Sequence, residues 1–454
     1  MTVPVSSVNP PTPTVFSPYY EQNVPHAVVM IDGTAYIPVS YHITFNAHGA
    51  TDDATVTLTI SNNPDFTLNL YQWSALPDGS ALPSIPIFME IWAGFRDTPA
   101  PTTDLSGLTQ RFLGILDSYS MNPDADEVTF TCRSLASPFV DQKLTSAPMG
   151  MTSVDFVQKL ANGIGLKTNI ALVKGVKPIT IQETLGREFI SGGANFNASV
   201  FNLHPWDLFL QTALFDDVDV WVDRDTLNYI APSLVKRTTV NLQYGGDGTS
   251  PGILRPVGTH SAQLNKNIRV EVRTWMKKTN QSTVYRVDSA SGGVIVQPNS
   301  RSTYRTSTPV FGTNSTVSTS ISSTGAQSTS ISSGSGGGFS GTTTAASESG
   351  KMIYKVFRPN LTPARCNQLA LSLWRQYSMH EFALSFDLPV TMARLADFSI
   401  TSLLRVSGLP YDQFNTHDKS DMYYPRQIVE SFDASSGWVW SVQCVNAVLP
   451  SGGV

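Results

Sequence analysis

The chain has 454 residues, is 41% hydrophobic but only 14% charged, and carries a net charge of −5. That length exceeds one ordinary core, so two to four domains are expected, and the mild acidity supplies no electrostatic basis for tight nucleic-acid binding. The 3 cysteines (Cys132, Cys366 and Cys444) are far apart and form no CxxC pair, which excludes a disulfide framework or zinc spacing and points to buried thiols.

No apolar run approaches the roughly 20 residues a bilayer span needs, and the N-terminus lacks a basic-then-apolar leader. The expectation is a soluble chain made in the cytoplasm. Residues 1–25 are proline-rich and aperiodic, and read as an extended arm. Strand signals then begin at Ala27–Ile31, turn at Asp32-Gly33 and resume at Tyr36–Ser40; Asp-Gly between apolar runs marks a hairpin. Period-two alternation continues through Tyr41–Phe45, Thr55–Ile60, Ile87–Gly94, Gln110–Ser120 and Glu127–Ser134. Residues 26–144 therefore predict a first antiparallel β-barrel or sandwich.

The period turns helical at Thr152–Ile164, with Thr152 or Ser153 as cap and Gly165 as stop. A second helix begins at His204-Pro205, where proline suits the first turn and His204 is expected to cap. A hairpin follows over Asp217–Ile230, so residues 145–232 predict a small α+β domain. Long strands return at Ile268–Trp275 and Ser282–Asp288. A helix starts at Thr362-Pro363, and strands follow over Glu381–Leu388, Phe398–Val406, Arg426–Asp433 and Trp438–Val445. Residues 233–298 and 351–450 predict a second antiparallel barrel with a helix. The fold class is mainly β with α+β insertions.

Residues 299–350 form a Ser/Thr/Gly-rich excursion in which Ser318–Ser323 recurs as Ser328–Ser333. Composition alone describes a linker. The repeat adds a β-hairpin pairing Ile321 with Ile331, packed on a partner or at a symmetry axis.

The search for chemistry yields no catalytic, cofactor or metal constellation. Asp216, Asp217, Asp219, Asp223 and Asp225 lack the bend glycine and late Glu of a calcium loop, and read as a solvated face. His417-Asp418 and His380-Glu381 have no nucleophile-elbow context. Gly245–Gly248 lacks the Lys-Ser/Thr of a phosphate loop and reads as a turn. Trp206, Trp275, Trp374 and Trp438 read as core aromatics. Lys266, Arg269, Arg273, Lys277 and Lys278 form a basic edge, solvated or facing an acidic partner; Arg269 and Arg273, with Ile321 and Ile331, are the candidate partner-interface residues.

The order of elements resembles the phage tail or baseplate hub proteins, the late control gene D family, and the hub part of type VI secretion spike proteins. The matching stretches are Val28–Gly33, Ile91–Gly94, Arg111–Asp117, Thr129–Ser134, Val157–Leu166, Pro205–Leu210 and Val220–Asp223, spanning about residues 26–232. The resemblance implies two similar barrels per chain and a homotrimeric ring that adapts a sixfold tail tube to a threefold spike. It also implies contacts with the tube or distal tail protein, the central spike and other baseplate or wedge proteins, DNA only in transit, and residence in the virion tail after assembly in the host cytoplasm. With no spike domain after residue 450, the spike would be a separate protein. Two other readings compete: a carbohydrate-binding virion adhesin, which needs an exposed aromatic platform, and a tail-associated cell-wall hydrolase.

Overall fold

A computed structural model describes residues 24–47, 49–61, 63, 86–96, 103–144, 150–185, 203–245, 252–261, 268–276, 281–288, 295–299, 315–321, 327–333, 352–358, 361–379, 381–391, 395, 398–417, 422–435 and 437–446. The N-terminal arm up to residue 23 and most of the 299–350 excursion lie outside them. Among the described residues no helix is long and apolar enough to cross a membrane.

Seven strands make the first half: β1 (Val24–Ile31), β2 (Thr34–Tyr36), β3 (Pro38–Asn46), β4 (Asp53–Thr59), β5 (Phe88–Arg96), β6 (Leu108–Asn122) and β7 (Glu127–Ser134). The expected hairpin turn is present. Asp32 and Gly33 take φ of 48° and 79°, the left-handed pair that a two-residue turn requires. Alternation places Val29, Ile31, Tyr41, Ile43, Val56, Leu58, Ile91 and Phe130 in one core, and each such side chain fully buried contributes about 1.5–3 kcal/mol.

The next elements are α1 (Ser137–Asp141), α2 (Ser153–Gly163), β8 (Lys167–Ala171), α3 (Ile181–Leu185), α4 (Pro205–Asp216), β9 (Asp219–Asp223) and β10 (Thr226–Ile230). Strands β8, β10 and β9 form a three-stranded sheet over a core of their own, centred on Phe156, Trp206, Phe209 and Tyr229. Thr152 is the cap of α2, its Oγ1 accepting from Asp155 N at 3.2 Å. His204 occupies the cap position of α4 but makes no side-chain cap bond; its Nδ1 instead lies 3.1 Å from the Gln142 carbonyl. The capping role expected of His204 is thereby corrected: its ring is held by the Gln142 carbonyl, away from the first-turn amides.

The remainder comprises β11 (Thr239–Gln243), β12 (Leu254–His260), β13 (Ile268–Met276), β14 (Gln281–Asp288), β15 (Ile295–Asn299), β16 (Ser315–Ile321), β17 (Gln327–Ser333), β18 (Met352–Phe357), α5 (Pro363–Ser378), β19 (Phe382–Pro389), β20 (Leu403–Ser407), β21 (Tyr423–Asp433) and β22 (Gly437–Asn446). The mainly-β expectation holds, and strand pairing adds how its strands are joined. One 13-stranded sheet runs β12-β19-β22-β21-β3-β4-β7-β6-β5-β1-β2, with β11 and β20 attached beside β21. The halves join where β21 pairs antiparallel with β3, Ile428 opposite Phe45 and Glu430 opposite Ile43, and a single core spans both. In addition, β13, β14, β15 and β18 leave that sheet and form a second one, order β15-β14-β13-β18, packed against α5 and reaching Phe215 and Ile179 of the α+β unit. The stretches 233–298 and 351–450 thus serve two layers, because the α5-facing side of β13 (Ile268, Val270, Val272) is apolar and needs a helix to cover it.

The two glycines of the first-half strands mark close approaches. A Cβ on Gly114 would meet the Arg133 carbonyl oxygen and lie 2.5 Å from the Phe112 ring, and one on Gly94 would lie 2.6 Å from the Gly107 carbonyl. Gly114→Ala is expected to cost about 1–3 kcal/mol by overpacking, read as a lowered urea midpoint; an unchanged midpoint would refute the tight fit.

Candidate structural and interaction sites

The polar groups with the most unusual surroundings sit at the seams between layers. At the first seam, β5 and β6 slip register, so that Ile91 pairs with Phe112 and Trp92 with Gln110, leaving Arg111 as the extra residue. Such a bulge re-aims a side chain, and Arg111 turns toward the shared core. There it meets Glu430 of β21, which is 0% exposed. Arg111 donates to Glu430 Oε2 from Nε at 3.1 Å and from Nη2 at 2.7 Å. Tyr41 Oη donates to Oε1 and Trp440 Nε1 to Oε2, each at 2.9 Å. The guanidinium also lies 5.6 Å from the Trp440 ring and 5.9 Å from the Phe45 ring, within cation–π range. Burial first, then the Glu430 charge, holds the Tyr41 hydroxyl well above its ordinary pKa, so it remains a donor. Four strands, β3, β6, β21 and β22, converge on one carboxylate.

The second seam corrects the reading of the acidic run as a solvated face. Asp216 is 1% exposed at the end of α4. It accepts from Ile179 N at 2.8 Å, Tyr229 Oη at 2.9 Å and Arg365 Nη1 of α5 at 3.2 Å, and from Ser153 Oγ. Burial raises its pKa from the ordinary carboxylate value against these opposing hydrogen bonds. Asp217, in the left-handed region at φ 53°, lies 3.2 Å from Arg375, and Asp219 lies 3.4 Å from Arg375 and 3.8 Å from Arg237. Only Asp223 and Asp225 remain substantially exposed. The signal available in the sequence was the matched spacing of arginines on α5: Arg365 and Arg375 can reach the two ends of an acidic corner along one helix.

On the surface, Arg133 closes the first half. It forms bidentate contacts with Asp117, at 2.5 and 2.9 Å, and with Asp141, at 2.9 and 2.8 Å; these hydrogen bonds hold the Asp141 carboxyl below its usual pKa. Where β9 meets the large sheet, Asp219, Trp221, Arg237, Thr401 and Tyr424 line a shallow cleft.

The candidate interface residues fall in different places. Arg269 is 5% exposed on β13, whereas Arg273 is exposed and donates to Glu271 at 3.0 Å. The basic edge is a face instead, because β13 lies inside its sheet between β14 and β18; Lys266, Lys277 and Lys278 are outside the described residues. The excursion repeat pairs as β16 with β17, but Ile331 stands opposite Val317 and Ile321 opposite Gln327, which corrects the expected Ile321–Ile331 pair. The change from the expected partner is four residues, an even number, so it leaves the strand faces unchanged.

Of the sequence-level chemistry, His417 lies 3.5 Å from Asp412 at the surface, with Asp418 outside the described residues. Glu381 lies 4.0 Å from His260; His380 and residues 246–248 are outside. Among the described residues no three His, Cys, Asp or Glu side chains gather as a metal site. Cys132, Cys366 and Cys444 are free and buried as expected, and burial pushes the Cys366 thiol up to about 12. Trp206 and Trp438 are buried, and Trp275 and Trp374 half-buried.

No family model and no curated protein matches the sequence. The fold does match solved structures along nearly its whole length. The tail protein from Neisseria meningitidis MC58 aligns with a TM-score of 0.53 at 11% identity, covering 93% of this chain and 96% of that one. The 43 kDa tail protein of prophage MuSo2 from Shewanella oneidensis aligns at 0.52 and 11% identity, covering 93% and 98%. A component of the type VI secretion system of E. coli aligns at 0.45 and 6% identity, covering 92% and 76%.

Proposed function

We propose that the chain is a structural protein of a phage tail, a hub that forms a homotrimeric ring between the tail tube and a central spike. The observation that carries this reading is the whole-chain match of fold to two tail proteins, with each partner covered almost end to end. The seams support it. A conduit that bears load needs its layers fixed relative to one another, and buried, hydrogen-bonded ion pairs such as Arg111–Glu430 specify one arrangement over alternatives. Two β-halves in a chain give three copies six similar units, the number needed to meet a sixfold tube. DNA would pass through the ring without being held, in keeping with the net charge of −5.

The described residues give the adhesin reading little to stand on. Among the described residues the exposed aromatics Phe88, Tyr119, Tyr244, Phe357 and Tyr411 are spread over separate elements. Native mass spectrometry of the purified chain tests the proposal. A trimer is the expected species; a monomer persisting at high concentration would overturn the ring.

A further inference from the structure

Two exposed corners of the chain carry opposite charge, each beside an aromatic ring. On β18, Phe357 is 62% exposed and stands opposite Arg273 of β13, while Lys355 stands opposite Glu271. The Arg273 side chain is 46% exposed, and Lys355 is exposed. Glu271 is shared by Arg273 at 3.0 Å and Arg286 at 3.3 Å. Arg273, Arg286 and Lys355 thus flank one carboxylate on this face, while the buried Arg269 stands opposite Asp288. Aromatic and arginine side chains together are the composition of binding hot spots.

The second corner is Tyr411 and Asp412, where a 3-10 turn (Asp412–Phe414) begins. Tyr411 is 70% exposed and the Asp412 side chain 86% exposed. The turn is held firmly from beneath. Leu409 N donates to Asn415 Oδ1 at 2.9 Å, and Asn415 Nδ2 returns a bond to the Leu409 carbonyl at 3.0 Å. The Phe414 ring packs edge-on to Phe382 at 6.0 Å and covers Gly258 so closely that a Cβ there would lie 2.8 Å from it. A projecting ring and carboxylate on a rigid turn lose little freedom on docking.

We infer that the Phe357–Arg273–Lys355 face of one copy of this chain receives the Tyr411–Asp412 corner of a second copy. The match is one of charge: a basic sheet face with an open aromatic, and a corner with an exposed carboxylate, Asp412 beside His417, and a projecting ring. Because the two surfaces differ, the contact is head-to-tail, the type that generates a ring when its rotation closes. The inference rests on the tail-hub reading for its ring, and adds which residues meet.

Sedimentation velocity of the full chain over a range of concentrations, at low and high salt, tests it. Lys355→Glu and Asp412→Lys are each expected to weaken self-association at least about tenfold at low salt, and combining them is expected to restore it. Neither side chain is buried, so both variants should fold; circular dichroism checks this. Phe357→Ser, which changes no charge, is expected to weaken association at both salt concentrations. Wild-type assembly that ignores every substitution would remove this contact and leave the tail reading standing. Weakening by the single charge reversals without restoration in the pair would also overturn it. A wild-type chain that stays monomeric throughout would remove the ring and the contact together.

Discussion

Replacing Arg111 with methionine is expected to destabilise the fold by about 3–5 kcal/mol, because it leaves Glu430 charged and buried without its partner. Tyr41 and Trp440 still donate to that carboxylate, but neutral donors do not supply the lost Coulomb attraction. The pair bridges residues 319 apart in sequence, so the loss acts on the union of the two halves and not on one strand. Arg111→Met combined with Glu430→Gln removes both charges while keeping an acceptor for Tyr41 or Trp440, and should recover most of the deficit. Urea unfolding of the four members of this cycle measures the coupling. A coupling below about 1 kcal/mol, the range of exposed pairs, would show that the clamp contributes no more than a surface contact.

Asp216→Leu is expected to have a comparable effect on a different layer. It strands the donors of Ser153, Ile179, Tyr229 and Arg365, and an unsatisfied buried donor costs about 1–3 kcal/mol, more when charged. The damage should be local, since the α+β unit and the α5 layer have cores separate from that of the large sheet. Hydrogen exchange should therefore show α5 and β10 losing protection while β3, β21 and β22 keep theirs. Equal loss everywhere would mean that the layers unfold as one unit and that Asp216 is not a separable latch.

These two clusters mark where local reading of the chain ends. Arg111 lies inside a stretch singled out for its family resemblance, yet nothing local shows that it turns inward; the bulge that aims it arises from pairing with β5. Glu430 left a faint trace, as the carboxylate between Ile428 and Phe432 on the inward side of an alternating strand. The buried part of the acidic run appeared solvated because Arg365 and Arg375, which pair with Asp216, Asp217 and Asp219, come from α5, on the far side of the excursion.

The sequence by itself determined most of the longer elements and their order. Period-two alternation produces the strands, the Asp32-Gly33 pair produces the hairpin turn, Thr152 and Thr362 cap α2 and α5, and the succession of elements carries the tail-hub resemblance. Only the tertiary structure decided which strand edges meet, that β3 and β21 make one sheet of two halves, that β13–β15 and β18 leave it, and that Asp216 and Glu430 are buried. The physical reason is that alternation encodes which face of a strand is apolar, a property of neighbouring residues. Edge pairing is made by backbone groups that every sequence shares, and its partner is selected by packing between residues hundreds of positions apart.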